Sequence, residues 1–186
     1  MNTQSNERYS SPAIVLHWLI ALVLIGLVGL GFFMTDMKMS PAKLQVYSWH
    51  KWIGVSVFFL VLVRLGWRIV RRPPPLPAGT SALMKLLAHG GHMMLYVLML
   101  AVPLSGWLMS SAKGFQTVWF GVLPLPDLIS RDLALGSQLS QAHFVLNVLM
   151  IVLVIGHVLA AFAHHFILKD GTLLRMMPFA SHGRKA

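Results

Sequence analysis

Four long apolar stretches separated by short polar segments set the pattern of this chain. Pro12 to Met34 runs 23 residues without an Asp, Glu, Lys or Arg, enough for a helix to cross a hydrocarbon core about 30 Å thick. A second stretch, 47–70, has an uncharged centre of only 12 residues, Trp52 to Val63. To span, it must carry Arg64 and Arg68 within the membrane's depth. Arg71, Arg72 and the run PPPLP then end it, because proline cannot continue a helix. The third stretch, 86–110, opens on HGGH and holds Pro103, where a kink is expected. The longest connection follows, and VWFGVLPLPDL within it reads as an interfacial segment with aromatic anchors. The fourth stretch, 140–168, closes the set. The pattern predicts an all-α fold: an integral membrane four-helix bundle occupying 1–186 as one domain.

Composition supports that reading. The chain is 56% hydrophobic and 11% charged, with a mean hydropathy of +0.71, whereas soluble domains are about a quarter charged. A signal peptide is the competing reading of the first stretch. The stretch is too long for one and has no small-residue cleavage site, so a retained first span is expected after a polar, disordered start, Met1 to Ser11. The absence of cysteine excludes disulfides, thiolate zinc sites, iron–sulfur clusters and covalent haem. The net charge of +10 has no basic domain to reside in, so nucleic acid is not an expected partner. It reports topology instead. With the N-terminus inside, the cytoplasmic side holds Arg8, Arg64, Arg68, Arg71, Arg72, Lys85, Lys169, Arg175, Arg184 and Lys185, against Lys38, Lys43, Lys51, Lys113 and Arg131 outside. That excess predicts N-in, C-in.

Histidines supply the chemistry. His143 and His157 lie 14 residues apart in the last stretch, which puts them on one helix face about 21 Å apart. Buried imidazoles in a membrane are costly and usually functional. In the predicted topology His50 and His143 open spans two and four near the outer face. His17 and His157 fall near the inner face. Two histidine pairs at two depths suit two b haems, each with axial imidazoles from facing helices. Zinc or copper would require three or four ligands at one depth.

Arg64 stands 14 residues after His50, at the depth of His157, with Arg68 one turn nearer the cytoplasm. Both are candidates for haem propionates, and snorkelling to headgroups is the alternative. His89, His92, His164 and His165 fall at the inner end. They line a quinone headgroup site, relay protons, or sit at the polar interface. His182 in the tail carries no signal. Trp49, Trp52, Trp67, Trp107 and Trp119 read as belt residues, and Met176 and Met177 as interfacial anchors. Gly26, Gly29, Gly31 and Gly54 would let helices or a flat cofactor approach closely.

The motifs LHW, WHKWIG, VRLGWR, AHGGHMMLY, PLSGWLMSS, GHVLAAFAHHF and KDGTLLRMMP together resemble the bacterial cytochrome b561 family across nearly the whole chain. The resemblance implies a four-helix dihaem protein of the bacterial inner membrane, similar to the cytochrome b subunits that exchange electrons with quinone. Carried over by motif, the haem ligands fall on His17, His50, His143 and His157. One branch of the family is superoxide oxidase, which passes electrons from periplasmic superoxide to ubiquinone. The segment PLSGWLMSS and the loop with VWFG and LPDL are closer to other branches.

Two functions follow as expectations. In the first, two b haems carry electrons between a periplasmic donor and the ubiquinone or menaquinone pool. In its superoxide version Lys51, beside His50, attracts the anion. In the second, the same bundle anchors a separate periplasmic redox protein, and an exposed apolar patch around Phe115 to Leu125 would favour it. A haem-free structural bundle is the third, bland class. Quinone is expected beside the inner haem, with His92 or His164 as hydrogen-bond or proton partner. The rival position is the outer face, near His50, Lys51 and Gln141.

Overall fold

The computed structural model describes residues 8–77 and 79–178. Most of the polar start, together with His182, Arg184 and Lys185, lies outside the described residues. Four helices are long and apolar enough to cross a membrane: α1 (Ser11–Asp36), α2 (Pro41–Val70), α3 (Ala82–Ala112) and α4 (Leu133–Phe162). A π-helical segment, Ala163–Leu168, continues α4.

Three of the helices begin well before their apolar stretches, at Pro41, Ala82 and Leu133, because each start is capped. Ser40 Oγ accepts from Lys43 N (3.2 Å), Ser81 Oγ from Met84 N (3.3 Å) and Asp132 Oδ1 from Leu135 N (3.0 Å). These side chains satisfy backbone donors that the first helical turn leaves orphaned. The caps carry the helix into the headgroup region, where hydropathy alone gives no signal. α3 passes through Pro103 as one helix. Beside it, the Val102 carbonyl accepts from Ser105 Oγ at 2.7 Å and from His143 Nδ1 at 3.0 Å.

Consecutive helices pack side by side, and both described ends of the chain meet at one end of the bundle. Tyr9 N donates to Arg175 O (3.3 Å), and Trp18 Nε1 to Met176 O (2.8 Å). This is called the inner end, following the charge distribution. The core is small and central. Ile20, Leu27, Val57 and Val61 form one cluster, with Leu98, Val102 and Met150 beside it. Much of the remaining apolar surface faces outward, as in Leu22 and Val152. A helix surrounded by lipid has no reason to hide such side chains.

The α3–α4 connection departs from the helical pattern through a short hairpin, β1 (Val118–Trp119) paired antiparallel with β2 (Leu123–Pro124). Trp119 Nε1 donates to Trp52 O and Ser56 Oγ, both at 3.2 Å, and its ring packs on Phe59. Ser56 lies about 9 Å past His50 towards the inner end. Trp52, Ser56 and Phe59 lie on the face of α2 roughly opposite His50. The hairpin is therefore laid against the outward flank of α2, level with the outer part of the bundle rather than above it.

Candidate functional site

The histidines occupy two levels, and every helix contributes to both. On α4 the 14-residue interval runs from His143 to His157, with buried Met150 midway. On α2 it runs from His50 to Arg64. The same interval separates His17 from Gly31 on α1 and His92 from Gly106 on α3. The outer level thus gathers Gly31, His50, Gly106 and His143, and the inner level gathers His17, Arg64, His92 and His157.

At the outer level a cavity between α1, α2, α3 and α4 is lined by His50, His143, Gly54, Asn147, Leu27 and Met150. Two glycines make room for its imidazoles. A Cβ on Gly106 would stand 3.1 Å from His143 Cε1, and one on Gly31 would stand 3.5 Å from His50 Cε1. His143 Nδ1 lies 3.0 Å from Val102 O and 2.9 Å from Ser105 Oγ. A carbonyl can only accept, so that contact puts the proton on Nδ1 and leaves Nε2 with a free lone pair, the tautomer a metal ligand needs. His50 Nδ1 is buried with no hydrogen-bond partner among the described residues. These observations fit a haem between His50 and His143: room on the glycine sides, one imidazole oriented from behind and one buried nitrogen without a protein partner.

At the inner level the His17 and His157 ring centroids are 6.2 Å apart. Two metal–nitrogen bonds of about 2 Å leave two imidazole centroids roughly 6 Å apart, so the spacing also fits axial ligation. His92 joins them, its ring centroid 5.5 Å from that of His157. Arg64 donates to Ala13 O (2.7 Å) and Tyr96 Oη (3.1 Å), and its Nη2 lies 3.4 Å from His17 Nδ1. A guanidinium can only donate. If His17 ligates through Nε2, its Nδ1 carries a proton and Arg64 is released to another acceptor, such as a propionate. Arg68 sits over the Tyr96 ring, 5.7 Å from its centroid.

The remaining candidates are placed as follows. Lys51 Nζ donates to Ser110 Oγ (3.3 Å), Phe115 O (3.3 Å) and Gln116 O (3.4 Å), which ties it to the start of the α3–α4 connection. Gln141 is exposed on α4. His89 Nδ1 bonds Lys85 O within its own helix, and His165 stacks edge-on with Phe166. His164 Nδ1 pairs with Asp170 Oδ2 at 2.5 Å. Burial pushes the Asp170 carboxyl up, but hydrogen bonds from Thr172 and His164 outweigh it and hold the group below its ordinary value. The wider π turn begins at Ala163, one residue before His164, so the seven-residue interval from His157 to His164 does not follow α-helical spacing throughout. Gly106, Ser105, Tyr96 and Asn147 were not singled out by sequence. A search for the 14-residue interval on all four helices would have found Gly106. Ser105 carries no spacing signal.

Stacked histidine pairs inside a four-helix membrane bundle define a membrane cytochrome b. The family model for prokaryotic cytochrome b561 matches residues 8–179, and the chain belongs to that family. It is 34% identical to cytochrome b561 homolog 2 of Escherichia coli K12 over 177 residues, 94% of each chain. It is 30% identical to the probable superoxide oxidase CybB of Yersinia pestis, over 93% of this chain and 97% of that one. Cytochrome b561 homolog 1 of Escherichia coli K12 is 31% identical, over 92% and 98%. The protein is thus a multi-pass electron-transfer protein of the bacterial inner membrane, and its family implies a b-type haem.

Proposed function

We propose that the chain holds two b haems, one between His50 and His143 and one between His17 and His157, and passes electrons between a donor at the outer face and the membrane quinone pool. The observation that carries this reading is the 14-residue interval repeated on α1, α2, α3 and α4, which builds two complete levels from one bundle. When bound, haem b supplies one-electron exchange at an iron with no open position. The chain's residues do the rest. The Val102 carbonyl orients His143, Gly31 and Gly106 leave space beside the ligand rings, and Arg64 and Arg68 supply positive charge for the inner propionates. Quinone reduction consumes protons, and the groups suited to provide them stand at the inner end. His92 lies beside His157, and His164 is paired with the part-exposed Asp170.

The relative named as a probable superoxide oxidase makes superoxide the first donor to test, with Lys51 beside the outer level as the cation that would draw a small anion in. The alternative, an anchor for a separate periplasmic redox protein, drew on an apolar patch at Phe115 to Leu125. That patch exists, with Phe115 64% and Val122 83% exposed. Trp119 holds the hairpin against the outward flank of α2, where lipid and a protein partner are both suited to cover such a patch, so the anchor reading stands as the second proposal. Stopped-flow mixing of the haem-loaded protein with superoxide, with and without ubiquinone or menaquinone, tests the proposal. Haem reduction that is reversed by quinone is expected. Full haem content with no reoxidation by either quinone would overturn it.

A further inference from the structure

The inner end holds a feature that electron transfer does not require. An open cleft of about 320 Å³ lies between the start of α1, the end of α2 and Tyr96 of α3. Its walls carry Arg8, Arg64, Arg68, Arg71 and Arg72, and no Asp or Glu among the described residues lines it. Two propionates would neutralise two of these cations at most. The arginines are also not at one depth. Arg64 stands at the level of His17, whereas Arg71 and Arg72 lie about 10 to 12 Å further towards the inner surface. Those two are exposed, and their guanidinium groups, like that of Arg68, donate no hydrogen bond to another described residue. Trp67 Nε1 donates to Ser10 Oγ (2.9 Å), an interfacial indole marking the headgroup depth. Tyr9 adds a hydroxyl to the same cleft. Burial pushes its phenol up against the opposing pull of Arg68 and Arg64, so it remains protonated and able to donate.

We propose that the outer half of this cleft, formed by Arg8, Arg71, Arg72 and Tyr9, is a binding site for the phosphate group of an anionic ligand. Guanidinium forks suit phosphate oxygens, and basic pockets between helices at the cytoplasmic face suit anionic headgroups. The phosphate belongs either to an anionic phospholipid of the inner leaflet or to a soluble anion. The inference rests on the haem reading only for assigning Arg64 and Arg68 to the deep half of the cleft.

Native mass spectrometry of the full-length, haem-loaded protein tests it, with phosphatidylglycerol, phosphatidylcholine and inorganic phosphate as separate probes. Phosphatidylglycerol retained in preference to phosphatidylcholine is expected. Removing two cations near the surface should weaken it about tenfold or more, so Arg71→Gln/Arg72→Gln should lose that preference while haem content and spectrum stay unchanged. Arg8→Gln, on the opposite wall, should weaken binding severalfold and serves if the double variant does not fold. Displacement by inorganic phosphate supports a soluble anion as the ligand, and retention in its presence supports the lipid. No preference for either phosphate probe, or equal retention by wild type and both variants, overturns the site. Loss of inner haem from the double variant also overturns it, by giving the whole cleft to the haem. Failure of the haem reading is distinguished by absent haem in the wild type.

Discussion

Gly106 and His143 meet closely across the α3–α4 interface: a Cβ on Gly106 would stand 3.1 Å from His143 Cε1, so the ring would have to give by a few tenths of an ångström. The same ring is held from behind by the Val102 carbonyl at 3.0 Å, so it has little freedom to retreat. Gly106→Val should therefore lose about one haem per chain, and Gly106→Ala should keep both while shifting the outer potential. Gly91→Ala is the control, since nothing lies within 4 Å of a Cβ there. Haem-to-protein ratio and a redox titration check it. Full, unshifted haem in Gly106→Val would mean that His143 does not need its present position.

If the proposed reading holds, His143→Ala should lose the outer haem and His157→Ala the inner one, each leaving roughly half the wild-type haem, because each would remove one of the two histidines that hold that haem. Pyridine haemochrome analysis decides the matter. Two full haems in either variant would remove that histidine from the ligand set.

Arg64→Leu should keep both haems and lower the potential of the inner one. A cation close to the site stabilises the reduced, more negative state, so removing it disfavours reduction. The shift should be on the order of tens of millivolts with partial screening. The same change frees Tyr96 Oη and Ala13 O, so a modest loss of thermal stability should accompany it. Unchanged potentials would assign Arg64 to headgroup snorkelling.

Four helices and their order were legible in the sequence because charge-free length is a one-dimensional signal, and so was the sorting of His17, His50, His143 and His157 into two levels, since depth along a helix follows from residue count. Helix starts were less so. Pro41 and Leu133 lie outside the apolar runs, and their caps, Ser40 and Asp132, are polar residues that hydropathy assigns to loops. The hairpin at Val118–Pro124 was legible only as an interfacial segment, since its position depends on Trp119 finding Ser56, a contact between residues distant in sequence. His92 was assigned to the inner end, but its closeness to His157 required the α3–α4 packing. Gly106 carries no chemistry of its own to mark it, since a glycine contributes space beside an imidazole and not a ligand.

The double variant His92→Phe/His164→Phe should keep both haems but reduce quinone about tenfold or more slowly, as expected when proton donors are removed from a site. Rapid-mixing kinetics with ubiquinone and menaquinone would show it. A wild-type rate with full haem would place quinone at the outer level instead, near Lys51 and Gln141.

Asp170 gives a pH prediction. Its carboxyl is held below the ordinary value of 3.8, so the native state favours the charged form. The stabilisation is fully present above about pH 4 and is lost as pH falls through the lowered native value. Wild type and Asp170→Asn should therefore differ in melting temperature at pH 6, and the difference should shrink below pH 3.8. A gap that is constant down to pH 3 would show that Asp170 acts through packing and not through its charge.

The apolar layer around Val57, Val61 and Met150 has an electrical consequence. Segments 18–30, 52–63, 97–105 and 144–156 contain no ionisable side chain, so the bundle offers no titratable relay by which a proton could accompany charge from one level to the other. An electron that crosses this layer moves uncompensated through the membrane field. A full crossing of one elementary charge is worth about 2.3 kcal/mol per 100 mV. The balance between the two levels should then depend on membrane voltage, so that energised and de-energised membranes distribute electrons differently along the same chain.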